Sequence, residues 1–149
     1  MSDIDRNLEL LIERRKIEDL RYRYWYAILD KDVEGLLGCF TDDVYLEYGF
    51  GIVLDGRQAV EDFFNDLMSD EGLLKQVPRG ANGIVEFTGP DSGKGRWMVE
   101  AVTIHKGKDE ASLASVQYFE EYTKVDGQWK LCKMRNDYLY FEKINISVL

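Results

Sequence analysis

The sequence predicts an α+β fold in which three helices precede a curved, mainly antiparallel sheet. Three observations carry this. Apolar residues recur at three- and four-residue steps as far as about Leu29 and again from Arg57, strand-like alternation fills most of the chain after Ala81, and short turns separate those strands. Sequential strands joined by short turns pair antiparallel, and helices with one apolar face bury it against such a sheet. With 149 residues the chain forms one domain over 1–149, large enough for a core without disulfides or a structural metal.

Ser2 or Asp3 caps a first helix whose apolar stripe runs Ile4, Leu8, Leu11, Ile12, Ile17, Leu20, Tyr24, Ala27 and Ile28. Arg14, Arg15, Lys16, Glu18, Asp19, Arg21 and Arg23 fall largely off the stripe and form a solvated or subunit-facing surface. Asp32 caps a short second helix that ends at the Thr41-Asp42-Asp43 turn, and Val44 to Tyr48 alternates as a strand. Gly49 and Gly51 allow a tight bend toward Ile52-Val53-Leu54. A third helix turns Ala59, Val60, Phe63, Phe64 and Leu67 to one side, and Met68 to Arg79, lacking a period, reads as a loop bordering a pocket.

Strands are then expected near Ala81 to Thr88, Gly95 to His105, Ser112 to Val125 and Gln128 to Tyr138. Turns at 89 to 93, a charged hairpin from Lys106 to Glu110 and Asp126-Gly127, a type I′ signal, separate them. The tail from Tyr140 to Leu149 is apolar enough to pack over the mouth of the fold or against a neighbour.

A net charge of −9 argues against a nucleic-acid or anionic-membrane partner, and no run approaches the ~20 apolar residues of a membrane span. The N-terminal stretch is broken by charges and has no signal-peptide core, so a cytoplasmic, reduced setting is expected. Cys39 and Cys132 then read as buried free thiols, against a disulfide or metal site as the alternative. With one histidine, no Ser-His-Asp or Cys-His set forms, and Gly80, Gly83 and Gly89 lack the context of a phosphate loop.

Several short motifs, in this order, resemble one family. They are Ile17-Glu18-Asp19-Leu20, Leu29-Asp30, Cys39-Phe40-Thr41-Asp42-Asp43-Val44, Leu54-Asp55-Gly56, Gly95-Arg96-Trp97, and Tyr122 with Val125-Asp126-Gly127-Gln128-Trp129-Lys130. Over nearly its whole length the chain resembles the SnoaL-like branch of the nuclear-transport-factor-two-like superfamily, which includes scytalone dehydratase, ketosteroid isomerase and polyketide cyclases. The resemblance implies a cystatin-like cone with an internal cavity, and metal-free, cofactor-free chemistry on a small molecule. It implies a catalytic Asp at Asp30 and a pocket tyrosine at Tyr48. The family's histidine is missing, with Pro78 or a neighbour in its place, and a second acidic position is Ala101. His105 reads as a surface or rim residue.

A carboxylate in an apolar pocket has a raised pKa and can act as base or acid near neutrality. Asp30 follows Ala27-Ile28-Leu29, which suits that role; its alternative is a polar residue ending a helix. A phenol such as Tyr48 donates to a developing oxyanion, or else is a core tyrosine. One of Tyr24, Trp25 and Tyr26 holds the helix-borne site position, and the stripe favours Tyr24.

The resemblance turns inward the strand faces Trp97, Val99, Ala101, Thr103; Val116, Tyr118, Glu120, Tyr122; and Met134, Asn136, Tyr138. Trp97, Tyr118 and Asn136 become candidate donors, with Trp25, Phe63, Met134 and Tyr138 as further substrate-binding residues. Arg96, Met98 and Glu100 point outward, toward a partner subunit. The expectation is a lyase, dehydratase or isomerase acting on a small aromatic, polyketide-like or steroid-like molecule, in a homo-oligomer, dimer or trimer. The alternative is a non-catalytic ligand-binding or assembly module of the same fold.

Overall fold

In the computed structural model, which describes residues 1–69, 73–107 and 109–147, helix α1 spans Asp3–Asp30, α2 Val33–Leu37 and α3 Arg57–Ser69. The strands are β1 (Phe40–Gly49), β2 (Ile52–Asp55), β3 (Leu73–Gly89), β4 (Ser92–His105), β5 (Glu110–Val125) and β6 (Gln128–Asn145). They form one six-stranded sheet in the order β2-β1-β6-β5-β4-β3. Every neighbouring pair is antiparallel except β1 and β6, which run parallel. Three helices packed on a mainly antiparallel sheet is the expected α+β arrangement.

Local chemistry sets the boundaries of the elements. The Ser2 hydroxyl accepts from the Asp5 N–H and the Asp5 carboxylate accepts from the Ser2 N–H, a capping box that opens α1. The helix stops where Lys31 turns left-handed at φ 56°, and the Asp32 carboxylate accepts from the Gly35 N–H at 2.9 Å to start α2. Gly49-Phe50-Gly51, all at positive φ, reverse the chain between β1 and β2.

Burial along α1 is uneven. Ile17, Leu20, Tyr24, Trp25, Ala27 and Ile28 are buried, whereas Ile4, Leu8, Leu11 and Ile12 are exposed. The buried half of the helix packs on a core that includes Leu36, Phe40, Val44, Leu46, Val60, Phe64, Val99, Val116, Leu131 and Met134.

The sheet is longer than its periodicity indicates. Of the loop expected over Met68 to Arg79, residues 68–69 belong to α3, 70–72 lie outside the described residues, and the rest begins β3. This strand pairs with β4 from Leu73 opposite His105 onward. It is the sheet edge, where Pro78 is tolerated, and a bulge between Ala81 and Ile84 disturbs its alternation. The tail is likewise part of the sheet as far as Asn145, with Glu110 to Ser115 of β5 as its partners, while 148–149 lie outside the described residues. The charged hairpin also contains one residue, 108, outside them.

Candidate functional site

Where α1, β1 and the concave sheet face meet, a partly enclosed cavity of about 100 Å³ remains. Helix α1 contributes Tyr24, Trp25 and Ile28; the β1–β2 bend contributes Tyr48 and Phe50; β3 contributes Gln76 and Pro78. Ala101 and Thr103 come from β4, Ala114, Val116 and Tyr118 from β5, and Tyr138 and Phe141 from β6. Period-two alternation explains the contributions of β3, β4 and β5, and the register shift that sets Tyr140 opposite Ser115 but Tyr138 opposite Val116 brings Tyr138 and Phe141 of β6 to the same face.

Four phenols face this space. The hydroxyls of Tyr24 and Tyr48 are hydrogen-bonded to each other, and either can be the donor. The Tyr24 ring meets Phe40 edge-on at 5.8 Å, and Tyr48 rests on Phe63 and Phe64 at 5.7 Å, so packing fixes both rings. Burial pushes the Tyr24, Tyr48 and Tyr118 hydroxyls well above the usual phenol value, and raises Tyr138 as well. All four are therefore neutral donors at physiological pH. On the polar side of the wall, the Gln76 amide donates to Thr103 Oγ1 at 3.4 Å. Among the described residues lining the cavity there is no carboxylate and no imidazole.

Behind the phenols lies a second polar group with a different character. Arg21 is 0% exposed, and its Nη2 lies 3.0 Å from Glu120 Oε1. Its guanidinium stacks over the Tyr24 ring at 4.2 Å and over Trp25 at 4.6 Å, with Tyr118 at 5.6 Å. Although its Nη2 sits at ion-pair distance, the guanidinium has no aligned hydrogen-bond partner, so its tie to Glu120 is charge to charge. The other Glu120 oxygen accepts from the Tyr122 hydroxyl, which in turn accepts from Trp97 Nε1 at 2.9 Å.

Burial disfavours the Arg21 charge, but Glu120 and the surrounding tyrosines outweigh it and hold the guanidinium above its usual value. Burial raises the Glu120 carboxyl; Arg21 and the Tyr122 hydroxyl partly counter this.

Of the residues expected from sequence, the structure brings Tyr24, Trp25, Tyr48, Tyr118 and Tyr138 together around the cavity. The others lie elsewhere. Asp30 is exposed in the last turn of α1, on the far side of the stripe that carries Tyr24 and Ile28, so it is not the buried carboxylate that the resemblance implies. Trp97 spends its N–H on Tyr122 and stands edge-on to Trp25 at 5.4 Å, which removes it as a substrate donor.

Phe63 supports Tyr48 from behind, and Met134 is core. Asn136 is buried opposite Tyr118 but is not part of the cavity lining. His105 sits at the end of β4, partly buried and away from the cavity. Arg21 corrects the expectation of a solvated face. Its spacing of four from Ile17 and three from Tyr24 places it on the buried stripe, and that spacing could have found it. Glu120, on the inward face of β5, is its partner.

Among the described residues no cluster of three or more His, Cys, Asp or Glu side chains is placed to hold a metal, and Cys39 and Cys132 are both free. No helix among them is long and apolar enough to cross a membrane.

Solved structures share this fold at low sequence identity. The chain superposes on a candidate scytalone dehydratase from Novosphingobium aromaticivorans with a TM-score of 0.84, at 22% identity over 93% of this chain and 91% of that one. The hexachlorocyclohexane dehydrochlorinase LinA-type3 from Novosphingobium barchaimii gives 0.81 at 24% identity, with 99% of each chain covered. An NTF2-like protein with a cystatin-like fold, also from N. aromaticivorans, gives 0.74 at 19% identity over 92% and 88% of the two chains. No curated protein matches the chain. The family model for the SnoaL-like domain matches residues 9–135, and the chain belongs to that family.

Proposed function

We propose that the chain is a lyase, dehydratase or isomerase that works without a cofactor on a compact, oxygen-bearing molecule. The observation that carries this is the hydrogen-bonded Tyr24–Tyr48 pair on the wall of a small cavity, with Tyr118 and Tyr138 beside it. Elimination is the reaction that two of the structural neighbours are named for, and two neutral phenols suit it. In one step, one phenol gives its proton to the departing hydroxyl, which leaves as water, while its oxygen takes the proton from the carbon between that hydroxyl and the ketone, so charge builds on the ketone oxygen as the carbon–carbon double bond forms. The second phenol holds the oxygen that gains charge.

At about 100 Å³, against roughly 150 Å³ for an engineered cavity that admits benzene in another protein, the space has no room for a steroid, and a single ring enters only as the exposed Phe50 at its edge moves aside. Single-ring substrates therefore fit this reading better than steroids. Asp30 has no part in it. The test is incubation with single-ring β-hydroxy ketones and product analysis. Loss of water that disappears in Tyr48→Phe supports the reading, and loss of water at an equal rate in that variant contradicts it.

A second reading, a binding module without chemistry, is favoured by the cavity wall itself, which has neither carboxylate nor imidazole among its described residues. It requires that a tightly bound molecule be recovered unchanged after long incubation. Conversion of that molecule would exclude it.

A homo-oligomer also belongs to this proposal. Ile4, Leu8 and Leu11 form one exposed apolar row on α1, which a second copy would cover. Light scattering should show a dimer or trimer that Leu8→Lys dissociates; a monomer at high concentration contradicts it.

A further inference from the structure

The phenol pair does not stand alone. Arg21, fully buried, lies over the face of the Tyr24 ring, 4.2 Å from its centroid, and that ring carries the hydroxyl bonded to Tyr48. The charge thus sits on the ring that carries one oxygen of the pair, in surroundings where Coulombic interactions are screened far less than in water. Its one countercharge among the described residues, Glu120, is engaged on its other oxygen by Tyr122, and Trp97 holds Tyr122 in turn.

A guanidinium stacked on aromatic rings and paired through a single carboxylate oxygen keeps part of its field for its surroundings. The titratable groups within that field are Tyr24 on α1, Cys39 just before β1, Tyr48 on β1, and Tyr118, Glu120 and Tyr122 on β5. Burial raises the Tyr24 and Tyr48 hydroxyls, and Arg21 acts in the opposite direction on both.

We propose that Arg21 is a positioning residue of the phenol pair: acting through Tyr24, it stabilises an oxyanion such as a phenolate or enolate held by Tyr24 and Tyr48, and Glu120 sets how much of its charge reaches them. The ligands this arrangement favours are small, flat molecules that bind as their conjugate bases. This rests on the reading of the pair as the oxygen-binding site.

The probe is 4-nitrophenol, whose ionised and neutral forms absorb at different wavelengths, so the ionised fraction of the bound molecule is read directly. Two variants move the field in opposite directions. Glu120→Gln keeps the volume and an oxygen for Tyr122 but removes the countercharge; Arg21→Met with Glu120→Leu removes both charges. Relative to the wild type, the bound probe should ionise about tenfold more readily in Glu120→Gln and about tenfold less readily in the double variant. A role limited to packing would not give shifts of opposite sign.

Equal ionisation in all three proteins overturns the role of Arg21 and leaves the oxygen-binding pair standing, provided Tyr48→Phe still weakens binding. A probe that does not bind, or binds and ionises equally in Tyr48→Phe, overturns both. If either variant fails to fold, the sign of the other's shift decides: a rise in Glu120→Gln or a fall in the double variant supports the assignment, and no change or the opposite sign overturns it.

Discussion

The interior of the cone holds two polar groups side by side, one closed and one open. In the closed group, Trp97, Tyr122, Glu120 and Arg21 are tied to one another, and none of them lines the cavity. In the open group, Tyr24 and Tyr48 are tied only to each other and face a cavity with Tyr118 and Tyr138. Both groups contain tyrosine, and both are wholly or partly buried. The difference teaches that burial does not mark a reactive site; unspent hydrogen-bonding capacity facing space does. Tyr122 both donates and accepts within the protein, whereas the Tyr24–Tyr48 pair has capacity left for a ligand oxygen.

The most disruptive way to break this contrast is to open the closed group. Glu120→Leu leaves Arg21 charged, buried and unpaired and should cost about 3–5 kcal/mol of stability. For a chain of this size that lowers the thermal midpoint by roughly 10 °C or more, read by calorimetry. Arg21→Met together with Glu120→Leu should recover most of the loss, because a packed apolar pair needs no countercharge. If the double variant is no more stable than Glu120→Leu alone, the closed group is not a charge pair.

In the open group the balance between stability and turnover should reverse. Tyr48→Phe removes one hydroxyl from the pair and should lower kcat by about 10²–10³, as loss of an oxyanion donor does. Stability should change by only about 1 kcal/mol. Denaturant titration beside steady-state kinetics checks both, and a large stability loss with intact kcat would make Tyr48 a core tyrosine.

A partly exposed counterpart sharpens the comparison. Glu13 accepts from Trp129 Nε1 at 2.7 Å and pairs with Lys124 at 2.8 Å and Lys16 at 2.6 Å, tying α1 to the last hairpin. Chiefly through Lys124 and Lys16, its carboxyl is held down at about 2, against 4.5 in the unfolded chain. A depressed acid stabilises the fold above its unfolded value and loses that contribution as pH falls toward the folded one. Because solvent screens this partly exposed pair, the contribution is less than the full shift implies, and about 2 kcal/mol should disappear between roughly pH 4.5 and 2, and not in Glu13→Gln, by denaturant titration across that range.

The smallest effect is expected at Asp30. Exposed at the end of α1, Asp30→Asn should stay within about 0.5 kcal/mol of the wild type and leave turnover unchanged. Loss of turnover in that variant would return the resemblance-based acid to the site.

The fold was readable because periodicity and turn chemistry agree. Asp32 as a cap, the Gly49-Phe50-Gly51 bend and the Asp126-Gly127 turn all lie where their residue types place them. The entry into β3 was not readable, since Pro78 and a bulge obscure the alternation of an edge strand. In the site, alternation and the helix stripe identified which side chains face inward, and so found Tyr24, Tyr48, Tyr118 and Tyr138. Periodicity gives direction without distance. It could not separate Trp97, which turns inward but serves Tyr122, from Tyr118, which turns inward to the cavity. Arg21 was hidden by its charge, although its spacing lies on the buried stripe, because a buried arginine is rare without an inward acid such as Glu120.

The most direct test of the account is the ¹³C carbonyl resonance of a single-ring ketone bound in the cavity. Donation from the Tyr24–Tyr48 pair polarises the carbonyl, so the resonance should move downfield on binding to the wild type and return toward its free position in Tyr48→Phe. An equal shift in the two proteins would contradict a site built on that pair.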